Sequence, residues 1–197
     1  MSTEDKREAI LQATLELVAE NGFHDSPCAL IAKHAGVAAG TIYRYFENKD
    51  VLINELYISI ESGITAILLE AYPARGSMRE RFMHLGIGLL NYFISRPAEF
   101  RFVEQFHNSP YGTEFRRNRI LGVSNSTEST RKCDIFRELF SEALEHNVIK
   151  QLPLILLFDL AFGPIVSVAR SHVLGFITLD DALIEQMVSA CWDGLKR

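Results

Sequence analysis

Along this chain apolar residues return every three or four positions, and no run alternates apolar with polar over a strand's length. Ile10, Ala13, Thr14, Leu17 and Val18 show the pattern most clearly, forming one stripe of an amphipathic helix. Glu4, Asp5 and Glu8 stand where negative charge favours the start of that helix. Asn21-Gly22 closes it with the residue that turns left-handed most readily. Asn-Gly pairs flanked by alternating apolar residues, the mark of a hairpin, do not occur. The spacing predicts an all-α protein.

The joints follow the same logic. Ser26-Pro27 reads as an N-cap with proline at the first helical position, opening a short helix to about Ala35. Gly36 breaks it, and a second short helix holds Ala39 to Phe46. Asn48 caps a long helix from Lys49 to about Tyr72, which Pro73, Gly76 and Ser77 interrupt. Further helices are predicted over Met78–Ser95 and Ala98–His107, and around Ile135, Phe136, Leu139 and Phe140. The polar stretch 122–130 reads as a loop or a frayed helix. Pro153 opens a helix to about Leu174, and Thr178 caps the last one with Asp181 at its third position.

Composition closes off other classes. With 48% apolar residues in 197, the chain can bury a real core, as one domain or two small ones, and is neither disordered nor collagenous. The three cysteines, Cys28, Cys133 and Cys191, lie far apart and form no CxxC pair. A disulfide framework, a structural metal site and a bound cofactor are therefore not expected, and a reducing, cytoplasmic compartment is. The charged N-terminus lacks the apolar core of a signal peptide. The longest apolar stretch, 152–169, carries Asp159, Gly163 and two prolines. It is shorter than the roughly 20 residues a bilayer needs, so it reads as a buried helix and not a membrane span. No nucleophile elbow, zinc-protease, P-loop or dinucleotide-binding pattern occurs, so no enzyme is expected.

Residues 26–56, SPCALIAKHAGVAAGTIYRYFENKDVLINEL, carry the most information. They read as helix, glycine turn, helix, cap, helix. Ile31, Ala32 and Ala35 face inward on the first short helix, and Val37, Ile42 and Phe46 meet them. Small Ala32 lets the axes approach, and Gly36 takes a turn that a side chain would penalise. This is the helix-turn-helix layout, whose second helix enters the major groove of DNA. The outward set on that helix is Ala39, Gly40, Thr41, Tyr43, Arg44 and Tyr45. Arginine bonds guanine bidentately, a threonine methyl packs on thymine, and phenols reach phosphates. Gly40 leaves room for close approach. Lys49, beside the Asn48 cap, can share a phosphate with the amides of that helix end. On residue type alone, Tyr43 and Tyr45 suit a core as well as DNA, and Phe46 suits the core better.

Several of these positions together resemble the DNA-binding region of the TetR family of bacterial repressors. They are Gly22-Phe23, Ile31-Ala32, Ala35-Gly36-Val37, Gly40-Thr41-Ile42-Tyr43-Arg44-Tyr45-Phe46 and Lys49-Asp50-x-Leu52, within roughly residues 5–56. The resemblance implies an N-terminal three-helix helix-turn-helix domain, residues 1–48. An antiparallel helical effector-binding and dimerisation domain, residues 49–197, would follow it. It implies a homodimer that binds a palindromic double-stranded DNA operator and leaves it when a small-molecule effector binds. The DNA-facing set it implies is Ser26, Ala38, Ala39, Gly40, Thr41, Tyr43, Arg44, Tyr45 and Lys49. Two features depart from the family's pattern. Ala38 and Ala39 stand where a serine and a basic residue are usual. Residues 1–50 also carry five basic side chains against eight acidic ones. Few phosphate contacts, and weakened DNA binding, are the expectation. The alternative is a helical small-molecule-binding protein with weak or lost operator binding. A helical enzyme that uses His84 or His107 is the third reading.

In the C-terminal region His84, Phe102, Phe106, His107, Tyr111 and Phe162 are the candidate effector-binding residues, polar groups and aromatics amid apolar helices. A filled core suits the same aromatics. The last two helices are apolar over more than one stripe, so each needs two partners. A second subunit supplying one of them predicts a two-fold interface through Phe158, Ile165, Ala169, Leu183 and Met187.

Overall fold

The structure is a computed structural model that describes residues 3–113 and 135–197. The described residues form α-helices α1 (Thr3–Asn21), α2 (Cys28–His34), α3 (Ala39–Tyr45), α4 (Lys49–Leu69), α5 (Met78–Ser95), α6 (Pro97–His107), α7 (Ile135–Glu145), α8 (Leu154–Val173) and α9 (Asp181–Leu195). The only extended pairing among them is an isolated bridge between Ile149 and Lys196. The all-α expectation holds. The polar stretch 122–130 and Cys133 lie outside the described residues.

The chain divides into two compact units. The first takes residues 1–61 and 96–122, the second 62–95 and 123–197. A division at residue 48 was expected on functional grounds. The compact units are cut elsewhere, because α4 runs through both and α6 belongs with the N-terminal helices.

In the first unit, α1 is the hub, packing on α2, α3 and α6. Its stripe of Ile10, Ala13, Thr14, Leu17 and Val18 is buried throughout. Gly22 leaves α1 with φ +83°, and its carbonyl accepts from Ser26 Oγ at 2.7 Å. Gln105 of α6 donates to the Val18 carbonyl at 2.9 Å, satisfying part of the exposed end of α1. Asn48 caps α4 as expected, its Oδ1 accepting from the Val51 amide at 2.9 Å.

In the second unit, α5 packs on α7, α8 and α9, and α8 packs on α9. Phe82, Leu85, Leu90, Leu157, Ala161, Ile165, Ala169, Val188 and Leu195 are fully buried. The helices meet at Gly86, where an added Cβ would fall 2.5 Å from a Val188 methyl. Two ends differ from expectation. Asp180, not Thr178, caps α9, accepting from the Leu183 amide at 2.8 Å. Ser77, expected only as part of a break, opens α5 with Glu80 in a reciprocal capping box. The Ser77 amide and hydroxyl hold the Glu80 carboxyl below its ordinary range.

Candidate nucleic-acid interface

The helix-turn-helix is built from buried contacts at its joint. Ile31, Ala32, Ile42 and Phe46 are all buried to within 1% of full burial, and Ala35 and Val37 are half-buried. Gly36 takes φ +66°, and the Val37 amide bonds the Ala32 carbonyl at 2.9 Å. That left-handed step reverses the chain within one turn, and a side chain there would be strained. Phe46 also lies beneath Arg7, whose guanidinium sits 5.4 Å from the ring centroid.

The opposite face of α3 is open. Ala38, Ala39, Gly40, Tyr43 and Arg44 are exposed, and Thr41 and Tyr45 are half-buried. Tyr43 is 58% exposed. Its phenol leans on Cys28, and that hydrogen bond and the charge of the thiolate form raise its pKa. A Cβ on Gly40 would meet nothing within 4 Å, so its backbone is approachable. Arg44 makes no ion pair among the described residues. Ala38 is the N-cap and offers no side-chain bond to the helix.

Two members of the expected DNA-facing set are engaged elsewhere. Ser26 is fully buried and is neither exposed nor the cap of α2, a place Pro27 takes. Its hydroxyl instead serves the Gly22 carbonyl. Lys49 is half-buried, and its ammonium donates to the Phe23 carbonyl, tying the start of α4 to the α1–α2 turn. Arg7 is likewise paired, with Glu55. Lys33 and Arg44 are the exposed cations left on α2 and α3. His34, which sequence alone leaves as an ordinary solvated residue, lies 2.7 Å from Glu16. Hydrogen bonds from Gln12 and His34 lower the Glu16 pKa.

The six candidate effector residues are divided between the units. Phe102, Phe106, His107 and Tyr111 belong to the first. Phe102 and Phe106 are fully buried in a filled core. Phe102 meets the edge of Phe23 at 5.6 Å, and Phe106 stacks on Tyr57 at 4.0 Å. His107 Nε2 is 3.4 Å from the Tyr57 hydroxyl. Tyr111 packs on Phe23 at 5.3 Å, and burial and the neighbouring Asp50 carboxylate raise its pKa. It therefore supports the helix-turn-helix. No short-range pattern announces that placement, because 88 residues separate Tyr111 from Phe23. His84 and Phe162 belong to the second unit. His84 bonds the Leu68 carbonyl at 3.1 Å, closing the end of α4. Phe162 joins half-buried Phe136 and Phe158 at 4.5 and 5.6 Å.

The expected dimer residues need a similar correction. Ile165 and Ala169 are fully buried inside their own unit, and Phe158 packs on Phe140 at 5.2 Å. Leu183 is 40% exposed and Met187 is half-buried. The open face of α8 lies opposite Ile165, through Leu156, Leu160, Gly163, Ser167, Arg170 and Leu174. The buried-helix expectation for 152–169 is met on one side only. Helix α8 is long and apolar enough by composition to cross a membrane, and 22% of that stretch is buried.

Fold and open α3 face together define a helix-turn-helix protein of the kind that reads duplex DNA. A family model for bacterial regulatory proteins of the tetR family matches residues 10–56, and one for the tetracyclin repressor-like C-terminal domain matches residues 77–196. The chain belongs to the TetR family and is a DNA-binding transcriptional regulator. It is 52% identical over 48 residues to the fatty acid metabolism regulator protein of Bacillus subtilis, a match spanning only 25% of that protein's length. It is 23% identical over 193 residues to an uncharacterized HTH-type transcriptional regulator of Haemophilus influenzae, covering 98% of this chain and 97% of that one. A crystal structure of a TetR family transcription regulator from Marinobacter aquaeolei superposes with a TM-score of 0.85 at 25% identity, over 98% of this chain and 96% of that one. The structure of the fatty acid degradation regulator FadR of Bacillus halodurans gives 0.74 at 21% identity, over 98% and 97%, a likeness of fold.

Proposed function

We propose that the chain is a ligand-responsive repressor. It binds a palindromic operator as a homodimer through α3, working in the cytoplasm, and leaves when a small apolar or mixed-polarity molecule binds. The observation that carries this reading is the exposed Tyr43–Arg44 pair, set on a helix whose other side is fully buried. A guanidinium there reads guanine, Tyr43 and Tyr45 reach the groove edge, and Gly40 admits close backbone approach. Helix α4 begins in the first unit and ends in the second, so an effector that favours one setting of α4 changes the separation of the two α3 copies. That separation must match about one DNA turn, roughly 34 Å or a multiple. Only a ligand with unequal affinity for the two settings can shift it. The half-buried Phe136, Phe158 and Phe162 support an apolar effector, since small-molecule sites are mostly apolar.

Dimerisation runs through the open face of α8 and the exposed flank of α9 that holds Leu183. An apolar face of this kind suits a second protein copy. Asp159, Arg170 and Pro164 on a single helix suit it better than lipid.

The test is fluorescence anisotropy with DNA from upstream of the protein's own gene. Saturable binding that Arg44→Ala abolishes is the expected result. Two uncommitted cations per subunit, Lys33 and Arg44, predict a log–log salt slope of about −4 for the dimer, and a slope near −10 overturns the few-contact reading. The uncapped α3 and the acidic balance of residues 1–50 favour a second reading, a small-molecule binder that has lost its operator. A folded dimer that binds no DNA at low salt supports that one.

A further inference from the structure

The open face of α8 has a symmetry of its own. Taking Ile165 as the centre of the buried side, the exposed residues fall in pairs equidistant from it along the helix: Leu156 with Leu174, and Gly163 with Ser167. The charged residues of this face, Asp159 and Arg170, lie one short and one long turn either side of the centre, on the same edge of the stripe. Leu156 and Leu174 are 45% and 54% exposed, and Leu160 is 42% exposed. A Cβ at Gly163 would meet nothing within 4 Å.

We propose that two copies of α8 pair antiparallel about a two-fold axis at the level of residue 165. This rests on the dimer reading above and fixes its register. A two-fold axis lying in the interface and crossing the helices reverses direction along α8 but keeps each edge on its own side. Leu156 then meets Leu174 of the other copy, Gly163 meets Ser167, and Asp159 meets Arg170. Each contact occurs twice, as an isologous interface requires. Small Gly163 and Ser167 at the centre let the axes come close, and the leucines close the ends away from water. A parallel pairing would set Asp159 against Asp159 and Arg170 against Arg170. Like-charge juxtaposition of that kind discriminates strongly between arrangements. The charges therefore select the antiparallel one.

Charge reversal tests this. In sedimentation equilibrium, Asp159→Arg and Arg170→Asp each weaken the dimer at least about tenfold, because each creates two like-charge contacts, and the double reversal restores it. Oxidative cross-linking is the second measurement. The double variant Leu156→Cys with Leu174→Cys links two subunits. Either single variant links no more than the parent, because its own copies would stand about 27 Å apart. A parent protein that is monomeric at micromolar concentration overturns the dimer reading itself. A dimeric parent whose single reversals leave the affinity unchanged, or whose double reversal fails to restore it, overturns this register and leaves the dimer standing.

Discussion

Two helices present open faces, and the faces differ in kind. On α3 the exposed residues are Tyr43 and Arg44, with Ala38, Ala39 and Gly40 keeping the surface low around them. On α8 they are leucines flanking Gly163 and Ser167, with one acid and one base. Both helices bury their other side completely, at Ile42 in one case and at Ile165 in the other. The buried sides therefore say how each helix is held, and only the open sides say what it meets. A guanidinium between small residues fits a charged, grooved polymer. A leucine face with balanced charge fits a second protein surface.

The comparison breaks most visibly at α8. Leu160→Glu places two carboxylates in the proposed interface, and an unpaired buried charge costs on the order of 3 kcal/mol or more, about 100-fold in dimer affinity. Because Leu160 is 42% exposed in the single chain, the fold survives. The expected outcome is a helical monomer by sedimentation, with operator affinity falling along with the dimer. A variant that stays dimeric and DNA-competent would move the interface off this face.

At α3 the corresponding change is smaller and of another kind. Arg44→Ala should cost about 1–3 kcal/mol in operator affinity and relax specificity at one base position, with the dimer intact. Lys33→Ala should weaken binding evenly across sequences and lower the salt slope by about 1. If the two variants exchange these signatures, Arg44 is a phosphate contact and the base reader lies elsewhere on the helix.

How far these faces were legible in sequence differs for the same physical reason. The α3 face follows from spacing within 30 residues, because Gly36, Ile42 and Phe46 set the turn and the buried side locally. The caps at Asn48 and the stripe on α1 are equally local and stand where the spacing puts them. The face of α8 was not legible. Leu156 and Ile165 are equally apolar, and which one is buried depends on α5 and α9, through a crossing at Gly86 that no nearby residue signals. The same limit separates Ser26 from DNA, since its hydroxyl is claimed by a carbonyl at the end of α1. It also carries Phe102, Phe106, His107 and Tyr111 to the helix-turn-helix unit instead of to an effector site.

Between the two faces lies the question of how firmly α3 is held, and its first turn is the weak point. Ala38 gives the helix no side-chain cap, so Ala38→Ser should stabilise the protein by about 1 kcal/mol in chemical denaturation. A gain in operator affinity without a gain in stability would instead mean that the new hydroxyl touches DNA.

The smallest expected effect concerns the tie between α1 and α2. Gln12 and His34 hold the Glu16 carboxyl below its ordinary range. Its proton is thus taken up less readily when the protein is folded than when it is unfolded. The contribution is present above the ordinary carboxylate pKa and is lost as pH falls through the depressed folded value. Glu16 and His34 are both well exposed, so solvent screens the pair and the effect is modest. Thermal melts of the parent and of Glu16→Gln should therefore differ near pH 6, with the parent the more stable, and converge toward pH 3 or so. His34→Ala should shrink the same gap, because it removes one of the two hydrogen bonds that depress Glu16. A gap that widens on acidification would mean that Glu16 is destabilising as an anion, and that the α1–α2 joint is held by Ile31 and Ala32 alone.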